Sequence, residues 1–402
     1  MKKPELLAPA GDLNRAKTAI LYGADAEYLG GQSFSLRSRA SNFTIDEIKE
    51  ACEFAKEHGS RIHVTVNVIP HDEDFVGLKE YVQKLEEIGV TAVIVASVGI
   101  MRLVKSCTTK LEVHCSTQMS ITNAETAMFL KDSLDIDRVV LARECSIEDV
   151  REITSKCPIE TEAFIHGGMC VNYSGRCTLS NRMTLRDANR GGCAQSCRWS
   201  YRLYDENKEY TEENDLFTMG SKDLCALRVI YDLMDAGVSS FKIEGRMKTE
   251  YYVASTVSSY RHLIDEIYEN QKPLSDDRMQ YHLNEIMKAE NRQTCTGFYE
   301  ERAGVNSIIH HETSDVDVNH GFLGRIQSYD SVTGIAVIQS RNPFAIGDKI
   351  EVLTPGKLNR EFVITNLKND KNEIIEECRN PMSMIQIEVP FTVNKGDIFR
   401  KS

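Results

Sequence analysis

The feature that most constrains this chain is the alternation, through its first 270 residues, of short apolar runs with helix-patterned segments. The runs predicted as strands are Glu5–Ala8, Ala24–Leu29, Arg61–Ile69, Thr91–Ala96, Leu111–Cys115, Arg138–Ala142, Ile159–Ile165 and Ser239–Ile243. They are short and rich in β-branched residues, as buried strands are. Between them Asp12 and Thr44 are placed to cap helices, and Ile45, Ile48, Ala51, Cys52 and Ala55 recur at helical spacing. Further helices are predicted from about Asp74 to Ile88, from Asn123, from Ser146, over Leu224–Ala236 and over Glu250–Glu269. Eight such units fit the roughly 250 residues of a (β/α)8 TIM-like barrel. A doubly wound open sheet is the rival, but no Gly-x-Gly-x-x-Gly follows a strand, which favours closure.

Beyond residue 270 the pattern changes. A short helix, Asp277–Ala289, and a polar stretch, His310–Asp315, suggest a helical and polar linker over 271–320. Brief β-rich runs over 321–402 include Val352, Val363, Ile364, Ile385, Ile387 and Val389, separated by turns such as Val332-Thr333-Gly334. They predict a small C-terminal all-β, barrel-like domain, expected to be a binding module. No run is long enough to span a membrane. Met1–Gly11 turns polar before a signal-peptide core could form, so a cytoplasmic location is expected.

In a reducing compartment 12 cysteines do not make a disulfide framework. Four of them, Cys170, Cys177, Cys193 and Cys197, follow the seventh strand with spacing Cys-x6-Cys-x15-Cys-x3-Cys, inside an insertion covering 170–216. Cys52, Cys107, Cys225 and Cys378 suit the role of small core hydrophobes. The four clustered thiols do not, because Tyr173-Ser174-Gly175-Arg176 and Arg190-Gly191-Gly192 make their surroundings polar and glycine-rich. Four thiolates suit tetrahedral zinc or an iron–sulfur cluster, and spacing alone leaves both open. From Arg176 to Arg202 the chain holds six arginines, no lysine and one acid, Asp187, within a protein of net charge −12. With Tyr173, Trp199 and Tyr201 nearby, the segment suits phosphate contacts and base stacking, Arg176 and Trp199 being the candidate contacts. The alternative is a solvated loop whose arginines pair with acids elsewhere.

Active sites of such barrels lie at the C-terminal strand ends. Strands six, seven and eight run into Arg143-Glu144, Glu162-x-Phe164-x-His166 and Lys242-x-Glu244-x-Arg246. Strict alternation points Glu162, Phe164 and His166 one way, and likewise Lys242, Glu244 and Arg246. Arg143, Lys242 and Arg246 are therefore candidate contacts for a small anionic substrate, and His166, Glu162 and Glu244 candidate proton carriers. Each such group taken singly is more often structural. His-Glu-x-x-His, Gly-x-Ser-x-Gly and Walker signatures are missing from the sequence.

The stretch Glu162–Cys177, together with Glu5–Asp12, Phe241–Lys248 and Thr296–Tyr299, resembles the collagenase-like peptidase family over essentially the whole chain. The similarity is to its RNA-hydroxylating branch. That resemblance implies oxygen-independent hydroxylation of tRNA wobble uridine to 5-hydroxyuridine in the anticodon loop, with prephenate, a small dicarboxylate, as hydroxyl donor. It also implies that Cys170, Cys177, Cys193 and Cys197 hold a [4Fe–4S] cluster, and it admits a paralogous protein partner. A peptidase, as in the family name, is one alternative. A non-catalytic RNA-binding factor with structural zinc is another.

Overall fold

The structure, a computed structural model, describes residues 1–36, 42–211, 216–300, 307–308, 321–357 and 359–402. The polar stretch His310–Asp315 lies outside them. Eight parallel strands close a barrel: β1 (Glu5–Pro9), β2 (Ala26–Gly30), β3 (Arg61–Val66), β4 (Ala92–Val95), β5 (Glu112–Cys115), β6 (Arg138–Val140), β7 (Glu160–Gly167) and β8 (Ser240–Ile243). Closure is set by β8, whose Ser240 is in register with Glu5 of β1 and with Glu162 of β7. The surrounding helices include α1 (Leu13–Leu21), α2 (Ile45–Glu57), α3 (Leu78–Glu87), α4 (Val98–Cys107), α5 (Ala124–Leu134), α6 (Ile147–Lys156), α7 (Ile230–Asp235) and α8 (Glu250–Asn270). The caps are those expected. Asp12 accepts from the Arg15 amide at 2.9 Å, and Thr44 and Glu47 form a reciprocal capping box.

Two predicted helices start later than expected. Gly77, at φ 75°, interrupts the run from Asp74, leaving a 3-10 turn at Asp72–Phe75 ahead of α3. Leu224 lies in a short strand, Asp223–Cys225, because its backbone pairs antiparallel with the end of β7.

Residues beyond α8 stay on the barrel. Helix α9 (Asp276–Met287) packs on α8, and Ile286 and Ala289 belong to the barrel's outer core. The C-terminal strands are β9 (Phe322–Asp330), β10 (Ile335–Ser340), β11 (Lys349–Leu353), β12 (Arg360–Val363), β13 (Met384–Glu388) and β14 (Ile398–Lys401). They form one antiparallel sheet, in order β12-β11-β14-β9-β10-β13, around their own core of Leu323, Ile338, Ile350 and Phe399. The two bodies are joined by buried Arg400, which pairs with Glu285 of α9 and with Glu351 at 2.6 Å. Tyr251 also stacks on Phe322, ring centroids 5.0 Å apart. No helix among the described residues is long and apolar enough to cross a membrane.

Candidate functional site

The barrel interior carries charge where branched apolar residues would be the usual filling. Arg138, 2% exposed, reaches Glu5 at 2.6 Å, Glu160 at 2.6 Å and Glu162 at 3.1 Å. Lys242 donates to the other Glu162 oxygen at 2.7 Å, and Ser240 donates to Glu5 at 2.7 Å. Burial works against charge on Glu162, but Lys242 and Arg138 outweigh it and hold its carboxyl below the usual range. Both Glu162 oxygens are thus committed inside the barrel. His63 and His114 meet edge to face at 4.8 Å in the same interior, and burial drives both down to about 3, so they are neutral.

Just beyond Phe164 the alternation fails. Phe164 is in register with Lys242, but the next pair is His166 with Ile243, so Ile165 is a bulge. Phe164 and His166 therefore point apart, correcting the shared direction predicted for Glu162, Phe164 and His166. Phe164 faces the mouth. His166 turns outward against α8, bonding Glu290 at 2.7 Å and Tyr260 at 3.3 Å, and it is fully buried. Burial opposes its charge, but Cys225 and Glu290 outweigh that and raise it to about 9. Lys248 stands 3.8 Å from Glu290 and 3.7 Å from Asp223, which also pairs with Arg198 at 3.2 Å. This outer cluster was hidden from sequence reading because Asp223 and Cys225, on one short strand, and Glu290, on another segment, are all distant from His166 in sequence.

At the mouth the Arg143 guanidinium lies 3.6 Å from the Phe164 ring centre and has no acidic partner among the described residues. Lys242 lies over the Tyr28 ring at 4.5 Å and 5.5 Å from that of Phe164. Strand β8 ends at Ile243, and the chain turns through Glu244 to Arg246. Glu244 is half-buried and accepts from Tyr28 at 3.0 Å. Arg246 donates to Ser35 at 3.1 Å and Asn42 at 2.9 Å, bracing the loop after β2. Arg143 and Lys242 therefore meet across Phe164, while Arg246 is engaged with the loop.

The insertion roofs this mouth. Gly167, at φ 102°, starts it where a side chain would strike the Glu244 carbonyl, a backbone only glycine tolerates. On one side Ser174 bonds Glu144 at 2.9 Å and Arg176 bonds Ser120 at 3.1 Å, beyond the ends of β6 and β5. On the other, Arg190 pairs with Asp74 at 2.5 Å, beyond β3. The roof carries all four clustered thiols. Cys170 and Cys193 are exposed, Cys177 and Cys197 half-buried, and none forms a disulfide. Burial raises the Cys197 thiol, Arg198 lowers it, and Cys170, Cys193 and Cys177 each raise it, so those three lie within electrostatic reach of Cys197. Asn172 donates to the Cys177 sulfur at 3.0 Å. No set of three or more Cys, His, Asp or Glu among the described residues is drawn in around a single ion position.

The six arginines divide. Arg190, Arg198 and Arg202 pair with Asp74, Asp223 and Glu209. Arg176, Arg182 and Arg186 have no acidic partner among the described residues, so the solvated-loop alternative accounts for only half of them. Trp199, 43% exposed, lies beside Tyr201 with ring centres 6.5 Å apart.

Comparison with known proteins is consistent along the chain. The family model described as peptidase family U32 matches residues 11–309, and its C-terminal domain model matches residues 318–400. A protein named tRNA hydroxylation protein P1 from Bacillus subtilis (strain 168) is 41% identical over 100% of this chain and 95% of its own length. An Escherichia coli (strain K12) protein named as a 23S rRNA 5-hydroxycytidine synthase is 41% identical over 67% of this chain and 41% of its own. A Porphyromonas gingivalis (strain ATCC BAA-308 / W83) protein named collagenase is 32% identical over 87% of this chain and 86% of its own.

Proposed function

The chain belongs to peptidase family U32, and from that membership and the mouth geometry we propose that it hydroxylates RNA, converting tRNA wobble uridine to 5-hydroxyuridine. The observation that carries the reading is the roof: four thiols and three arginines without acidic partners among the described residues, set over a barrel mouth that presents Arg143. The relatives named for tRNA and rRNA hydroxylation support it.

The four thiols suit a [4Fe–4S] cluster. They share one polar, partly exposed loop, where thiolates are accessible to iron, and none is held in a disulfide. Zinc would be served by the same donors. When bound, the cluster supplies redox-active, Lewis-acidic iron at the mouth. The protein's own residues do the rest. Arg143, 3.6 Å from the Phe164 ring centre and with no acidic partner among the described residues, takes a carboxylate of prephenate or a similar dicarboxylate through a two-pronged contact. Lys242 adds positive potential from below, held there by Glu162, which Arg138 holds in turn. Glu244, steadied by Tyr28, is the carboxylate placed to accept a proton at the strand end. Glu162 and His166 act as positioning residues, since their polar atoms are committed to Lys242, Arg138, Glu290 and Tyr260. Arg176 and Trp199 meet the anticodon loop, whose single-stranded bases are inexpensive to turn out. On this reading the protein works in the cytoplasm, and a paralogous protein is proposed as a further partner. The site geometry does not favour the peptidase of the family name: among the described residues its nearest semblance, the Cys225–His166–Glu290 group, is buried and closed to a peptide.

The test has two parts. Protein purified without oxygen should absorb broadly near 400 nm and contain about four irons per chain; a colourless, zinc-containing protein contradicts the cluster. Deleting the gene, with no paralogue present, should remove 5-oxyuridine derivatives from tRNA as read by mass spectrometry. Unchanged levels contradict the function.

A further inference from the structure

We propose that Leu185, at the tip of the roof, is an apolar wedge that enters the base stack of the RNA loop and holds it open. This rests on the RNA reading above. Leu185 follows the short helix Leu179–Thr184 with its backbone in the left-handed region, φ 55°, and its side chain 93% exposed. A single exposed leucine is ordinary, but leucine rarely adopts that backbone, and a residue held there in the open marks a candidate functional position.

The turn is built to hold it. The Leu185 amide donates to the Asn181 carbonyl at 3.2 Å, and the Asn181 side chain accepts from the Ala188 amide at 3.1 Å. Thr184 donates to the Ser180 carbonyl at 2.8 Å. Asn189 donates to the Cys177 carbonyl at 3.0 Å, which ties the turn to the thiol loop. The wedge is therefore fixed relative to the thiols.

Charge identifies the occupant. Arg182 and Arg186 flank exposed Met183 and Leu185, and neither arginine has an acidic partner among the described residues. In a chain of net charge −12 such a tip selects an anionic polymer. Apolar residues between two cations call for a ligand with phosphates on the outside and stackable faces within, which describes single-stranded RNA. Leucine is among the side chains that proteins drive between base steps to unstack them. An anionic bilayer would satisfy the charges too, but the tie to Cys177 joins the tip to the thiol loop, which on the RNA reading meets the substrate.

The experiment uses the full-length, cluster-loaded protein and an anticodon stem-loop RNA with 2-aminopurine next to the wobble position. Wild type should raise the fluorescence on saturation, reporting unstacking. Leu185→Gly, which suits the left-handed backbone and so preserves the turn, should cut that rise about tenfold while changing affinity less than about threefold. Leu185→Met should restore it. A rise that survives in Leu185→Gly overturns the wedge and leaves the RNA reading standing. Wild type that fails to bind the RNA overturns both. Binding to phosphatidylserine vesicles that Leu185→Gly abolishes would assign the tip to a membrane and overturn the wedge.

Discussion

Replacing Arg138 by methionine tests the charged barrel interior. The side chain is 2% exposed and holds Glu5 and Glu162 inside the barrel, with Glu160 at the rim. Removing one partner of a buried ion pair costs about 3–5 kcal/mol, because the remaining charge stays buried. Glu162 keeps Lys242, and Glu5 keeps Ser240 and Arg61. The expected loss is therefore near the lower end, about 3 kcal/mol at pH 8. The pH dependence gives a second signature. In the wild type, opposing charges outweigh burial and depress both carboxyls, so their stabilisation is present above the unfolded pKa and is lost on acidification. In Arg138→Met less of the burial cost is offset, so both carboxyls rise from their depressed values and the gain of stability with rising pH shrinks. Urea denaturation followed by circular dichroism at pH 5 and pH 8 reads both effects. Adding Glu5→Gln and Glu162→Gln should recover much of the loss at pH 8. A cost below about 1 kcal/mol, or an unchanged pH slope, would refute the reasoning.

Three further outcomes are expected. Arg143→Gln should raise the half-saturating concentration of the carboxylate co-substrate by about tenfold or more in a hydroxylation assay, with the urea midpoint unchanged, because the lost contact is charge-assisted and partly exposed. His166, raised to about 9 in the fold, stabilises fully below the unfolded value of 6.5 and loses that contribution as pH climbs through 9. The shift corresponds to about 3 kcal/mol, and a His166→Gln variant should flatten the urea-midpoint profile between pH 6.5 and 9.5. Gly167→Ala, which forces a side chain onto the Glu244 carbonyl at φ 102°, should lower iron content per chain in anaerobically purified protein while circular dichroism stays native.

The closed barrel was legible because its signal is local: each strand is an apolar run, each helix an amphipathic stretch with its own cap. The gathering of Cys170, Cys177, Cys193 and Cys197 was legible because they share one loop. Features that depend on distant partners were not. Whether an arginine of the insertion is free depends on Asp74 and Asp223, which reach Arg190 and Arg198 only through the fold. The direction of His166 turned on one bulged residue, Ile165, which carries no compositional mark and reverses the alternation from which its role was inferred. Glu162 read as a free carboxylate because Arg138 and Lys242, on neighbouring strands, are 24 and 80 residues away in sequence. Leu185 gave no signal at all, since only its backbone angle and exposure set it apart.

The central claim, that this protein hydroxylates tRNA through the thiols roofing its barrel, is met most directly by complementation. A strain lacking the gene is supplied with either wild-type protein or Cys177→Ser, expressed to equal levels, and its tRNA nucleosides are measured by mass spectrometry. Wild type should restore the 5-hydroxyuridine derivatives and Cys177→Ser should leave them absent. Restoration by Cys177→Ser to the wild-type level would contradict the account.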